Sequence, residues 1–145
     1  MIFTYNFANW QKIPGIIFPI SIARYAPKGW VGASYPKLYP TEELLFLYKR
    51  GKLTDQEYTN TYKTDVLNLL EQTEVITDLC KIVGRQKKSG IKYSGCVLLC
   101  YEKSSSFCHR HLVREWFAKQ GFYSSEFSNL PQSRNIKPLN FRSKA

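Results

Sequence analysis

Two kinds of apolar pattern alternate along this chain, short continuous runs and repeats of three and four. Residues 2–7 form a brief β-prone run, and Pro14 and Gly15 break the segment behind it, so 8–15 reads as a loop. Residues 16–23 are apolar and rich in isoleucine. Pro19 inside that run puts the strand proper after it or at a sheet edge. Three prolines and two glycines make 24–40 a long loop with no regular element. From Thr41, a good N-cap, the period becomes helical: Leu44, Leu45, Leu47 and Tyr48 give one face to a helix that runs through Arg50 and stops at Gly51. Thr54 and Glu57 form a capping box for a second helix with Tyr58, Tyr62, Val66, Leu69 and Leu70 on one side. Residues 75–83 repeat the pattern through Val75, Ile76, Leu79 and Ile82, and Gly84 ends it. Residues 96–101 are the most continuous apolar run, typical of a strand buried on both faces. A helix over 108–120 then packs Leu112, Val113, Trp116 and Phe117 inward and stops at Gly121, and 122–127 returns as a last strand.

Helical segments between β-prone ones predict a single layered α/β domain with a mostly parallel sheet. The longest helical stretch crosses from the strand before Arg24 to the strand ending near Glu102. No repeat or second domain is visible. The domain spans 1–129, and 130–145 is a basic, proline-containing tail that reads as irregular.

Composition adds a bias toward acidic company. The chain of 145 residues is 43% hydrophobic, enough for an independent core, and its 21 Lys and Arg against 11 Asp and Glu give a net charge of +10. Nucleic acid, a nucleotide or another anionic small molecule is the expected partner. Lys81, Arg85, Lys87, Lys88 and Lys92 fall in a run without an acidic residue, which makes Lys87 and Lys88 candidates for nucleic-acid contact, although such a run is more often a solvated turn. No stretch reaches the roughly 20 apolar residues of a membrane span, and the N-terminus lacks a signal peptide's basic start, so a cytoplasmic protein without membrane contact is expected. In a reducing compartment Cys80, Cys96, Cys100 and Cys108 are thiols rather than a disulfide framework.

The reactive side chains concentrate at one strand-to-helix junction, with Cys100 and Glu102 at the strand's end and Cys108, His109 and Arg110 at the helix's start. Ligands of open α/β sheets bind beyond the carboxyl ends of strands, and Arg24 ends another strand. Arg24 and Arg110 are expected to hold an anion at the helix N-terminus, with Lys28 in the covering loop and Cys100 in the pocket. Cys108 has the setting of a nucleophile, with His109 as base or proton carrier and Glu102 as a second acid or base. The plainer alternatives are a buried apolar Cys108 and a His109 that serves the helix terminus by hydrogen bonding. Cys100, Cys108, His109 and His111 are zinc-compatible types, but no CxxC pair occurs and adjacent Cys108 and His109 would point to different sides of a helix; no metal and no cofactor is expected. Glycine-rich phosphate loops are absent.

At these residues the chain resembles the domain of unknown function 488 family, through LLCYE at 98–102 followed by CHR at 108–110. SIARYAP at 21–27, LYP at 38–40 and YKRGKLTDQEY at 48–58 extend the resemblance over most of the chain. It implies a small three-layer Rossmann-like domain with a polar pocket. Many family members carry an aspartate two positions before the first-strand arginine, where this chain has Ile22, which removes any side-chain acid or base role there. The expectation is an enzyme-like domain binding a nucleotide, nucleoside or other phosphorylated ligand, in nucleic-acid or nucleotide metabolism. The alternatives are a non-catalytic DNA- or RNA-binding module and a protein-interaction adaptor or inhibitor.

Overall fold

The computed structural model describes residues 1–86 and 90–127. Lys87, Lys88 and the tail assigned to 130–145 lie outside the described residues. Gly95–Cys100, buried at every position, is strand β4, the centre of a five-stranded sheet. Its neighbours are β1 (Ile2–Asn6) and β2 (Ile17–Ser21), and two-residue strands β3 (Ala33–Ser34) and β5 (Ser125–Glu126) complete the order β3-β2-β4-β1-β5. Every pairing is parallel, as a central strand apolar on both faces requires.

Four helices cover one face: α1 (Glu42–Lys49), α2 (Asp55–Asp65), α3 (Gln72–Gly84) and α4 (His109–Lys119). Ile20, Ile22 and Leu98 of the sheet side meet Leu44, Tyr62, Leu79 and Phe117 from these helices in one apolar cluster. Each such fully buried aliphatic or phenyl side chain stabilises the fold by about 1.5–3 kcal/mol. The other face is covered more thinly. Val97 and Leu99 pack there against Phe7 and Trp10 of a 3-10 helix (Phe7–Lys12), with Trp30 and Phe127 beside them. The result is a three-layer Rossmann-like α/β domain.

The helix punctuation follows the sequence. Thr41 accepts a hydrogen bond from the Leu44 N–H, Thr54 and Glu57 close a reciprocal capping box, and Gly51 takes a left-handed φ of 71° behind α1. The segment 8–15, expected as loop, contains the 3-10 turn that supplies Trp10 to the core. Pro19 stands in the middle of β2, which is not an edge strand. The short β3 pairs only from Ile20 onward, so the missing Pro19 N–H leaves no ladder bond unmade on that side. The loop 24–40 does hold regular pieces, β3 and a 3-10 turn at Pro36–Leu38. It presses on the sheet so closely that a Cβ on Gly32 would lie 2.6 Å from the Pro19 carbonyl oxygen. The second helix stops at Asp65, and a 3-10 turn (Leu67–Leu69) shifts the phase, burying Leu67 and leaving Leu69 76% exposed. The third begins at Gln72, a buried polar residue that an apolar repeat does not register; its amide donates to the Phe117 carbonyl at 2.8 Å.

Candidate functional site

The chain leaves β2 toward β3 and β4 toward β5, in opposite directions along the sheet. Their carboxyl ends therefore flank a topological switch point, the usual crevice of an open parallel sheet. A cavity of about 570 Å³ opens there. Ala23, Arg24 and Tyr25 line one side and Cys100, Tyr101 and Glu102 the other. Leu45, Tyr48 and Lys49 of α1, Tyr58 of α2 and Phe107 close it, and Cys108 and His109 also line it. Arg24 and the 100–102 strand end thus share one cleft, as expected from the sequence.

At its base Cys100, Cys108 and His109 are all buried. His109 Nε2 lies 2.8 Å from the Ile22 carbonyl oxygen. That oxygen can only accept, so Nε2 carries the proton and a neutral ring has its lone pair at Nδ1. Nδ1 sits 3.5 Å from the Cys100 sulfur and 4.0 Å from the Cys108 sulfur. The Tyr62 ring packs edge-on against the imidazole at 5.4 Å between centroids, and its hydroxyl donates to the Leu38 carbonyl at 2.8 Å. The imidazole orientation is therefore held from two sides.

Cys108 is the N-cap of α4, with φ −159° and ψ 145°, rather than a residue of its first turn. This overturns the geometric objection to Cys108 and His109 acting together. Adjacent side chains diverge on a helix, but an extended cap followed by a helical residue lets both reach the same point. The Cys108 thiol is held well below its ordinary value by the neighbouring Cys100 thiol and by His109 and the Arg110 charge, against the opposing effect of burial. Cys100 moves the other way, because of the neighbouring Cys108 and because it is buried. Cys108 is the thiolate-prone member of the pair.

Of the other sequence-derived candidates, Glu102 lines the cleft but is exposed at its rim. Arg24 is half-buried, its Nε donating to the Pro40 carbonyl at 3.0 Å and its guanidinium 5.7 Å from the Tyr39 ring centre. Its terminal nitrogens make no hydrogen bond among the described residues and remain available to an anion. Lys28 is exposed and does not line the cavity. Arg110, expected to clamp the anion with Arg24, is fully buried and turned away from the cleft. Its Nη2 pairs with Glu126 Oε2 at 3.0 Å, and Thr4 donates to Glu126 Oε1 at 2.8 Å. A charge in so apolar a position needs a counter-charge, and β5 supplies it.

The aromatic wall was missed in the sequence. Tyr48 and Tyr58, read there as helix-core positions, face each other at 4.9 Å, with Phe107 5.3 Å from Tyr58. The Tyr48 hydroxyl donates to Asp55, which raises its pKa to about 12. Burial likewise pushes the Tyr58 hydroxyl up. Both rings enter the cleft neutral. The available signal was their polar-tipped aromatic type on a face otherwise made of leucine and valine.

A family model for the active DUF488-N3 subclade matches residues 9–121, the span that carries β2, β4, α4 and every cleft-lining side chain. The chain belongs to this subclade of the DUF488 family. Neither a curated protein nor a solved structure matches it. In this DUF488 member the strand-end LLCYE and the helix-start CHR meet in space, and two residues of CHR enter the cleft while the third ties α4 to β5.

Proposed function

We propose that this protein is an enzyme-like domain that binds a nucleotide, nucleoside or related phosphorylated ligand in the cleft between the β2 and β4 ends, and that Cys108 acts there as nucleophile with His109 as its base. The observation that carries the reading is the fixed imidazole: Nε2–H is committed to Ile22, so the Nδ1 lone pair is aimed at the two thiols on the cleft floor. The remaining features fit this ligand class. A planar base suits the wall of Tyr48, Tyr58, Phe107 and Tyr101, and the terminal nitrogens of Arg24 with Lys49 suit a phosphate at the rim. Glu102 is the solvent-facing acid or base. The family designation as active accords with a functional site in the matched span. Four thiols without a disulfide accord with a cytoplasmic location.

Equilibrium binding to a panel of nucleosides, mononucleotides, sugar phosphates and short oligonucleotides tests this. A member of the panel should bind. Arg24→Ala should weaken a phosphorylated ligand about 10- to 100-fold, the loss of one charge-assisted contact, and Tyr101→Ala should weaken base-bearing ligands. Oligonucleotides belong in the panel because the net charge of +10 favours phosphate polymers. A contact made by surface charge alone would instead fall steeply with salt and ignore both substitutions. That result, or no binding to any member, would overturn the proposal.

A further inference from the structure

We infer that Cys100, Cys108 and His109 also form a binding site for a soft divalent cation, Zn²⁺ first among them, with three protein ligands and one position open to the cleft. The two sulfurs and a ring nitrogen all lie within 4.8 Å of one another. Tetrahedral zinc, with Zn–S about 2.3 Å and Zn–N about 2.0 Å, separates a sulfur from a nitrogen by about 3.5 Å. The observed Sγ to Nδ1 distances are 3.5 Å for Cys100 and 4.0 Å for Cys108, within about half an ångström of that separation, and the two sulfurs, at most 4.8 Å apart, need approach by no more than about 1 Å to share one tetrahedral ion.

A second observation points to the same conclusion independently of the cluster itself. A metal-ligating histidine characteristically donates its other ring N–H to a carbonyl or carboxylate, which fixes the tautomer and aims the lone pair. His109 Nε2 makes that bond to the Ile22 carbonyl at 2.8 Å, leaving a buried Nδ1 directed at both sulfurs. The Ile22 carbonyl is itself fixed at the end of β2, where the Ile22 N–H donates to Leu99. Access is provided by the cavity, since all three ligands line it. Two thiolates and one imidazole with an open fourth position is the arrangement of a catalytic rather than a purely structural zinc site. Metal and thiol chemistry exclude each other here: with zinc bound, Cys108 is a ligand, and a metal-bound water faces the cleft in place of the nucleophile.

The test is metal titration of the full chain, stripped with chelator under reducing conditions, using Zn²⁺ alone against a colorimetric chelator and Co²⁺ alone for its spectrum. One equivalent of Zn²⁺ should bind. Co²⁺ should give the intense visible bands of a tetrahedral site together with thiolate-to-cobalt charge transfer in the near ultraviolet. Changes outside the ligand shell cost about 10- to 100-fold in affinity, so Cys100→Ser and His109→Ala should each cost at least about 100-fold, while Cys80→Ser, on the exposed face of α3, should change nothing. A pale octahedral cobalt spectrum in the unmodified protein, no stoichiometric zinc, or affinity indifferent to Cys100→Ser and His109→Ala would overturn the inference. The cobalt spectrum needs no variant and so decides the question even if a substituted chain fails to fold. No organic ligand enters the titration, so its failure is distinct from failure of the ligand panel.

Discussion

Replacing Glu126 by glutamine removes the only carboxylate paired with the buried Arg110 among the described residues. The two side chains are 0% and 1% exposed, so water cannot take over the role of counter-charge. The guanidinium already has one buried nitrogen, Nη1, without a hydrogen-bond partner among the described residues, and glutamine would leave the group without a counter-charge there. Breaking such a buried pair by removing one partner costs about 3–5 kcal/mol. A domain of this kind is stable by about 5–15 kcal/mol in total, so about a fifth or more of its stability is at stake. At about 3 °C per kcal/mol for a chain of this length, the midpoint should fall by about 10 °C or more. Urea unfolding followed by tryptophan fluorescence reads the change directly. Thr4→Val, which removes one donor to the same carboxylate, should cost about 1.5–3 kcal/mol. Arg110→Met combined with Glu126→Leu should recover most of the loss, because two apolar groups replace a pair whose desolvation was never fully repaid. A Glu126→Gln chain within about 1 kcal/mol of the parent would refute the reasoning and show that solvent or another group already neutralises Arg110.

Two further outcomes follow from the same structure. The Asp78 carboxyl is held below its usual range by the Tyr35 hydroxyl and then by Lys37, so its folded value is depressed and its contribution exists above the unfolded value and disappears as the pH falls through the folded one. Asp78→Asn should therefore lower stability most near neutrality and converge with the parent in the acid limb; parallel stability curves from pH 7 to pH 3 would contradict this. Tyr62→Phe leaves the buried Leu38 carbonyl without its donor and should cost about 1–3 kcal/mol in urea unfolding, with a smaller effect indicating that the carbonyl finds another partner.

Much of the fold was legible because its signals are local. A six-residue apolar run bounded by turn residues is typical of a strand covered on both sides, and Gly95–Cys100 is the central one. Thr41, Thr54 with Glu57, and Gly51 act through bonds spanning three or four residues, so both ends of α1 and the start of α2 were readable. The edge strands were less so: Ala33–Ser34 fell in a stretch read as loop, and the last strand expected over 122–127 occupies only Ser125–Glu126. Ala33–Ser34 and Ser125–Glu126 are two residues each, have no period of their own, and exist only because β2 and β1 offer unpaired edges. The site divides similarly. Placing Arg24, Cys100, Glu102, Cys108 and His109 in one cleft followed from the rule for strand ends. Arg110 did not, because residue type announces a guanidinium but not that Glu126, sixteen positions on, will bury and neutralise it. The Ile22 carbonyl could not be seen at all. Its role belongs to the backbone, and a side chain that departs from the family pattern does not remove it.

The central claim, that the cleft floor is chemically active, is tested most directly by site-resolved alkylation of the chelator-stripped, folded protein near neutral pH, read by peptide mass spectrometry. Cys80 is exposed and Cys96 is buried with its thiol pushed up to about 12, so the two serve as internal references for access without activation and for neither. Cys108 should label at least about 10-fold faster than Cys80 despite its burial, and His109→Ala should abolish that advantage. Labelling confined to Cys80, with Cys108 inert until the protein unfolds, would contradict the account.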